Sequence, residues 1–289
     1  MAGDGFAVKP DKWVTEIKDV FLYFFIKLKG TESMKKTLIA LAVAASAVVS
    51  GSAMAWTSNG GGGQVEIGGS LTPVTKATPW ETAIGTAVTD LNAQIQKNDT
   101  KVEVNVPKTL PILAIRSTAQ FTGRAGIAPA INYGWIGNVW KNSSTQASAE
   151  VRNEAGVVVG GAHFPLTVQG AMAASKVDGS TPHQKLMFAN KKGQAYVGGL
   201  PTSANDVLDV RNIILQGWPD IADKFVLPSG AAWEPNFYET FTDSGWKYSS
   251  YYGSVIAKNS KINITMNAPV KADAPFKWKI SLPATVTYQ

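Results

Sequence analysis

The chain has 289 residues, with 27 Lys and Arg against 21 Asp and Glu, two His and no Cys. The lack of cysteine excludes disulfides, thiolate nucleophiles and zinc–thiolate sites. The net charge of +6 is mild and scattered, and no Arg-rich helix or alternation of aromatic and basic residues offers a phosphate-binding surface, so we expect no nucleic-acid partner.

An export signal is predicted at residues 34–55. Two lysines at 35–36 precede an apolar run at 38–49, and small residues follow up to Ala55, which is the order of regions that a signal peptidase requires. The run is too short to cross a ~30 Å hydrocarbon core as a helix. We therefore expect a removed signal peptide, cleaved before Trp56.

Residues 1–33 lie upstream of this complete signal, whereas the basic start of a signal normally stands at the extreme N-terminus. We interpret them as an extension from a start site placed too early. The apolar patch at 20–26 leaves a membrane-surface helix open as an alternative, although it is too short to span a bilayer.

Residues 56–72 are predicted to form a tether followed by an isolated strand. Four glycines at 60–63 favour a flexible tether. Beyond them, four alternate residues share one face of a predicted strand: Val65, Ile67, Gly69 and Leu71. A lone strand needs a partner sheet for its apolar face and a ladder for its backbone. It is either the first strand of an ordinary sandwich or a strand that serves another subunit.

The next segment predicts an amphipathic helix followed by short strands. Apolar residues at spacings of four, three and four form a helical stripe that Thr82 would cap: Ile84, Val88, Leu91 and Ile95. Alternating residues predict strands at 102–106 and 112–115. A polar, Gly-closed turn at 153–156 between two alternating runs predicts a β-hairpin, and a further strand is predicted at 164–168.

From about 176–245 the strand pattern lapses, which indicates a subdomain inserted into a β domain that spans residues 73–289. A helical stripe from Val207 to Ile214 can end at Gly217, and Pro219 can open a second short helix.

The densest aromatic cluster of the chain lies in and just after this insertion. Flat apolar faces of sugars stack on aromatic rings while polar groups bind the hydroxyls, so the cluster favours a glycan-binding platform. The candidate receptor-binding residues are Trp218, Asp220, Trp233, Asn236, Tyr238 and Trp246. The alternative is that these aromatics form the small core of the insertion itself.

Strands are predicted to resume at 254–257 and 262–266. The closing residues 276–288 alternate apolar or small with polar, which predicts one long strand with a solvated face.

No motif for catalysis or metal binding accompanies these elements. The two histidines, His163 and His183, have no nucleophile elbow, metalloprotease or Walker sequence near them. Glu234 and Glu239 are a carboxylate pair of the kind glycosidases use, but nothing else supports catalysis there. We expect no enzyme activity, no catalytic residues, no metal and no cofactor.

Several segments of the chain resemble the K88-like (F4/F41-type) fimbrial subunits of enterobacteria. The resemblance rests on the signal at 34–42, the strand at 65–70, the double strand at 101–116, the segment 196–200 and the terminus at 283–288. It implies an exported protein that a periplasmic chaperone holds, that an outer-membrane usher assembles with copies of itself, and that ends in an extracellular fimbrium.

The resemblance also implies a fold, an all-β, immunoglobulin-like sandwich that lacks its last strand and carries a helical insertion. In this family the chaperone supplies the missing strand first, and the N-terminal segment of the next subunit then replaces it, a step called donor strand exchange. The C-terminal strand would dock on the chaperone through Trp278, Ile280, Leu282, Val286 and Tyr288.

The predicted function is therefore a fimbrial subunit that polymerises by donor strand exchange and adheres to host glycan receptors as a virulence factor. Two alternatives stay open. One is a minor or purely structural subunit of the same fibre, and the other is a secreted lectin that does not polymerise.

Overall fold

The computed structural model describes residues 67–70, 77–271 and 275–289. The chain divides into two units, residues 1–72 and 73–289. The predictions for the signal, the tether, Val65 and Leu71 lie outside the described residues. Strands dominate the described part, which confirms the all-β prediction. None of its helices is long and apolar enough to cross a membrane.

The described residues form fourteen strands, one α-helix and one 3-10 turn. The strands are β1 (Trp80–Ile84), β2 (Lys101–Asn105), β3 (Leu110–Ser117), β4 (Phe121–Thr122), β5 (Pro129–Asn132), β6 (Ile136–Lys141), β7 (Ser144–Asn153), β8 (Val158–Lys176), β9 (His183–Leu186), β10 (Ala232–Trp233), β11 (Trp246–Ile256), β12 (Lys261–Met266), β13 (Trp278–Lys279) and β14 (Thr285–Tyr288). The helix is α1 (Arg211–Gly217), and the 3-10 turn is Ala204–Asp206.

The main sheet is organised around β8, which is 19 residues long. Its first half pairs with β7 and β12, and its second half pairs with β11 and β9. Beyond β11 lie β3 and then β1, and beyond β12 lies β2. β14 and β5 form a separate two-stranded sheet.

Buried side chains form a core cluster on each face of this sheet. Successive residues of β3 and β11 point to opposite faces, as strand geometry requires. On one face, Leu113 and Tyr252 join the large core together with Ile131 of β5. On the other face, Ala114 and Val255 belong to a second, smaller cluster. The sheet is therefore covered on both sides, by different parts of the chain.

The second cluster is covered by α1 and the turn that follows it. Ile214, Trp218 and Ile221 are buried there. β11 carries a glycine where the helix approaches most closely, since a Cβ on Gly253 would lie 2.4 Å from Cγ2 of Ile214. The close packing of α1 on the sheet thus depends on the absence of a side chain at this position.

The predicted β-hairpin is confirmed as β7 and β8. The Asn153 side chain accepts a hydrogen bond from the Val157 N–H at 2.9 Å, and the Gly156 N–H donates to the Asn153 carbonyl at 3.0 Å. Gly156 has a φ of +82°, the left-handed conformation that glycine adopts without steric cost. The predicted further strand at 164–168 belongs to the same continuous β8.

The predicted helix between Thr82 and Ile95 is wrong. Residues 80–84 form β1, which pairs with β3, and residues 85–97 form neither helix nor strand. Ile84, a member of the predicted stripe, is exposed. Burial of the neighbouring Trp80 and pairing with a ready sheet edge outweigh a weak helical preference.

Three boundaries in the second half of the domain also differ from prediction. α1 begins at Arg211 and not near Val207, and the 3-10 turn before it is capped by Ser203, which accepts the Asn205 N–H. The segment after Pro219 forms turns, not a second helix. β11 begins at Trp246 and not near residue 254, so the tyrosines at 248–252 are strand residues.

Candidate functional site

The C-terminal segment is the first candidate site, and it is two short strands and not the predicted single one. β13 pairs with β7 and β14 pairs with β5, with residues 280–284 between them outside any strand. Pro283 lies in this gap and has no N–H to give to a ladder. The Trp135 indole N–H donates to the Pro283 carbonyl at 2.7 Å, which holds the chain in line across the gap.

Side chains alternate without interruption along this whole segment. Odd-numbered residues from Lys279 to Thr287 are exposed, and the even-numbered ones are half-buried against the core. We call the second set the C-terminal row: Trp278, Ile280, Leu282, Ala284, Val286 and Tyr288. None of its members reaches the burial of the core residues beneath it. The row is therefore an apolar surface that the described residues cover only in part.

The backbone of β14 has one satisfied edge and one open edge. Ala128 and Gln289 exchange both of their hydrogen bonds, at 3.1 and 3.2 Å. By the alternation of an antiparallel ladder, Thr287 then also faces β5, whereas Val286 and Tyr288 direct their N–H and C=O groups to the opposite edge. No strand among the described residues pairs with that edge. It is a template for one more strand.

The described part of the predicted donor strand is exposed. Ile67 is 95% exposed. A Cβ added at Gly68 or Gly69 would meet no atom within 4 Å. An apolar residue this exposed gains free energy only when a partner covers it.

A second candidate site is a cleft of about 370 Å³ beside β9, which we call the β9 cleft. Nine residues line it: Thr181, His183, Lys185, Glu234, Phe237, Glu239, Asp243, Trp246 and Tyr248. His183 and Lys185 are two apart on β9 and therefore share one face of that strand. Aromatic rings and charged groups meet there in one concave surface.

Charge in the β9 cleft is arranged around Lys185. Its Nζ atom lies 3.0 Å from Oε2 of Glu234 and 4.9 Å from the centre of the Phe237 ring. The hydrogen bond from Lys185 lowers the pKa of Glu234 below its usual value. Burial, with the nearby Glu239 and Asp243 carboxylates, raises the pKa of Tyr248. The lining of the cleft thus combines three acidic side chains, Glu234, Glu239 and Asp243, with one lysine.

The structure separates the six predicted receptor-binding residues. Trp246 lines the β9 cleft, packed edge-on against His183 with ring centres 5.2 Å apart. Tyr238 stacks on the cleft residue Phe237 at 4.4 Å. Trp233 is half exposed on β10, where the Arg211 guanidinium lies 4.3 Å from its ring centre.

The other three candidates have partners of their own away from the cleft lining. Trp218 is buried in the second cluster and donates its indole N–H to the Ser254 carbonyl at 3.2 Å, so it is a core residue. Asp220 lies beside Arg116, with 3.4 Å between Oδ2 and Nη1. Asn236 donates to the Ala204 carbonyl at 3.2 Å.

Sequence reasoning missed the cleft residues that come from β9 and from position 237. His183 has no motif near it in the sequence, and Lys185 belongs to a four-residue strand too short to show alternation. No sequence pattern separates Phe237 from the neighbouring aromatic residues. The described residues contain no group of His, Asp and Glu arranged to hold a metal ion.

A family model described as "Fimbrial, major and minor subunit" matches residues 34–289, which include both the C-terminal row and the β9 cleft. The chain belongs to that family. The resemblance to K88-like fimbrial subunits is thereby confirmed, and the protein is a fimbrial subunit of the cell surface. Subunits of this family are not known as enzymes.

Individual relatives agree with this assignment. K88 fimbrial protein AC of Escherichia coli is 26% identical over 293 residues, which cover 88% of this chain and 100% of the relative. F41 fimbrial protein of Escherichia coli is 26% identical over 282 residues, with the same coverage of 88% and 100%. K88 fimbrial protein AD of Escherichia coli is 30% identical over 190 residues, or 60% of this chain and 66% of the relative.

Proposed function

We propose that this fimbrial subunit polymerises by donor strand exchange, in which residues 64–72 of one copy complete the open C-terminal edge of the next. The observation that carries the proposal is the C-terminal row, an apolar surface that is only half-buried beside a backbone edge with no partner among the described strands. A strand added there would bury the row and satisfy the backbone groups of Val286 and Tyr288 together.

The N-terminal segment has the composition that such an edge needs. Val65, Ile67 and Leu71 alternate with polar or small residues, so one face of an added strand is apolar. Burying three aliphatic side chains contributes about 1.5–3 kcal/mol each. Several ladder hydrogen bonds add about 0.5–1.5 kcal/mol each. Ordering the glycine tether opposes part of this gain.

The open edge of β14 would also bind the chaperone in the route of assembly that we propose. After removal of a signal at 34–55, a periplasmic chaperone would lend a strand to the C-terminal row and pass the subunit to an outer-membrane usher. The proposed chaperone contacts are Trp278, Ile280, Leu282, Val286 and Tyr288. The support is that these residues form the half-buried row, and a subunit with that row uncovered exposes a hydrophobic edge prone to aggregation.

Substitution in the donor segment tests polymerisation. Ile67→Asp places a charge on its apolar face, and we expect fibres to disappear from the cell surface in electron micrographs while the subunit still co-purifies with its chaperone. Glu66→Gln changes the adjacent residue on the opposite face and should leave fibres intact. Normal fibres from Ile67→Asp, or from a chain lacking residues 56–71, would contradict donor strand exchange.

We further propose that the subunit binds host glycans at the β9 cleft. Phe237 lines the cleft and stacks on Tyr238, and the two residues are 46% and 38% exposed. Glu234, Asp243 and Lys185 supply acceptors and a donor for sugar hydroxyls. Exposed stacked rings beside convergent polar groups are typical of carbohydrate sites.

Glycan binding can be tested on a monomer that carries residues 64–72 fused after Gln289. We expect it to bind members of a glycan array, and Phe237→Ala to lose most of that binding. Phe276→Ala removes a ring that is similarly exposed, at 40%, outside the cleft, and should retain it. An array without binding would leave a purely structural subunit, and equal binding by both variants would contradict a glycan site at the β9 cleft. Glycan binding by this monomer, together with no fibres formed by the unfused chain, would indicate a non-polymerising lectin.

A further inference from the structure

Three residues are held by contacts to the domain where the chain enters it from the N-terminal side: Ala77, Pro79 and Glu81. The Ala77 carbonyl accepts a hydrogen bond from Arg124 at 2.8 Å, and the Pro79 carbonyl accepts one from the Thr118 N–H at 2.8 Å. Glu81 is bridged by Arg116 and by Lys224. Few sequence positions separate these contacts from the proposed donor segment.

Trp80 is the centre of this anchor. It is 93% buried, its exposed fraction being 7%, and its ring packs against three others: Phe121, Tyr196 and Phe241 at centre distances of 5.1, 5.9 and 5.4 Å. Its indole N–H donates to the Ile127 carbonyl at 2.6 Å. The first residue of β1 is therefore fixed to a segment far from it in sequence.

That segment continues directly into the partner of the C-terminal strand. Ile127 accepts the Trp80 hydrogen bond, and the next residue, Ala128, exchanges two hydrogen bonds with Gln289. Residues 129–132 then pair with β14. Ile127 and Ala128 thus connect Trp80, near the point where the N-terminal segment enters the domain, to Gln289, directly after β14. The open edge of β14 would receive the next subunit.

We propose that Trp80 and the Ile127–Ala128 peptide form a mechanical bridge that carries tension through the subunit. This inference rests on the proposed polymerisation, because only in that arrangement is each subunit pulled through its N-terminal arm and its C-terminal strand. Tension entering at residue 77 passes through Trp80 to Ile127, through Ala128 to Gln289, and out along β14. This path runs in parallel with the pairing of β1 and β3, which also holds the entering chain.

Pulling single fibres at constant force tests the bridge. Trp80→Phe keeps an aromatic ring in the core but removes the indole donor, and loss of one such hydrogen bond corresponds to about a fivefold faster unfolding. We expect this increase in the rate of subunit unfolding under tension. Trp140→Phe is the matched control, because Trp140 is equally buried, at 7%, on β6, which lies off the path. The control should unfold at close to the wild-type rate under tension.

A second variant distinguishes loss of the bridge from a folding defect caused by Trp80→Phe. Arg124→Gln removes a surface contact to the Ala77 carbonyl and leaves the buried core unchanged, and it should also unfold faster under tension. Equal unfolding rates for Trp80→Phe and Trp140→Phe, with a wild-type rate for Arg124→Gln, would overturn the bridge while leaving polymerisation intact. Fibres that survive Ile67→Asp would instead overturn the polymerisation on which it rests.

Discussion

Two apolar surfaces of this subunit are completed in different ways. On the outer face of β3 and β11, the chain folds α1 back onto the sheet, and Ile214 becomes fully buried. Along the C-terminal row, alternation is just as regular, yet every member stays half-buried. The first surface is covered within the chain, and the second is left for a strand that the described residues do not provide.

The difference shows where stability resides. A surface covered within the chain contributes to the folding of an isolated subunit, because its apolar area leaves water whenever the chain folds. A surface left open contributes only when a second chain arrives, so its free energy belongs to assembly. Substitutions on the two surfaces should therefore affect different measurements.

The largest effect is expected for Ile214→Ala. It removes three carbon atoms from a fully buried position beneath α1, and core truncations of this kind cost about 2–5 kcal/mol. We expect the free energy of unfolding of the monomer fused to residues 64–72 to fall by that amount in urea titrations. Leu215→Ala, which truncates the adjacent and partly exposed residue of α1, should cost far less. Equal losses would mean that α1 is not the cover of this surface.

Leu282→Ala in the C-terminal row should act on strand capture. We expect the chaperone-bound subunit to take up a synthetic peptide of residues 64–72 about tenfold more weakly, which corresponds to about 1.4 kcal/mol of lost apolar contact. Ile214→Ala should leave peptide uptake unchanged in the same assay. Weakening by Ile214→Ala and not by Leu282→Ala would reverse the assignment of the two surfaces.

The same comparison explains what the sequence could predict. Alternation correctly predicted which side chains face the core over residues 278–288, because a period of two survives the break at Pro283, but it was wrong for Phe276, which is exposed. It did not predict the division into β13 and β14, because these pair with two different strands, β7 and β5, that are distant in sequence. The helix predicted from Ile84 failed for a related reason, because β3 offered a pairing edge that a local pattern cannot register.

The candidate sites were predictable to unequal degrees. The Val65–Leu71 pattern and the C-terminal row are periodic, so sequence indicated both. The β9 cleft combines single residues from separate segments, such as Lys185 and Phe237, and only the fold brings them within 4.9 Å. The sequence did not show which of the six predicted receptor residues are exposed. Trp218 is buried and is therefore not accessible to a receptor.

Trp135→Phe gives a smaller effect and tests how the open edge is kept straight. The variant keeps a ring in the core but loses the hydrogen bond to the Pro283 carbonyl, worth about 1 kcal/mol. Because that carbonyl lies in the gap between β13 and β14, we expect faster amide exchange at residues 280–286 in the fused monomer. Trp140→Phe should leave exchange there unchanged. Unaltered exchange in both variants would show that β13 and β14 hold their alignment without Trp135.

The smallest effect concerns the ion pairs of Glu81 on β1. Its hydrogen bonds with Lys224 and then Arg116 lower the pKa of Glu81, so the folded subunit holds this proton less tightly than the unfolded chain. The resulting stabilisation is present above the pKa of the unfolded carboxyl and is lost as pH falls through the lower pKa of the folded one. Because the Glu81 side chain is 37% exposed, solvent screening limits this to a few tenths of a kcal/mol.

Glu81→Gln should therefore lower the melting temperature of the fused monomer slightly at pH 7 and make no difference once the wild-type carboxyl is protonated. The matched control is Glu103→Gln, which breaks the more exposed pair with Lys261 at the far edge of the sheet. If Glu81→Gln and wild type differ equally at every pH, the ion pairs do not stabilise β1. That result would assign the anchoring of this strand to Trp80 and the β3 ladder alone.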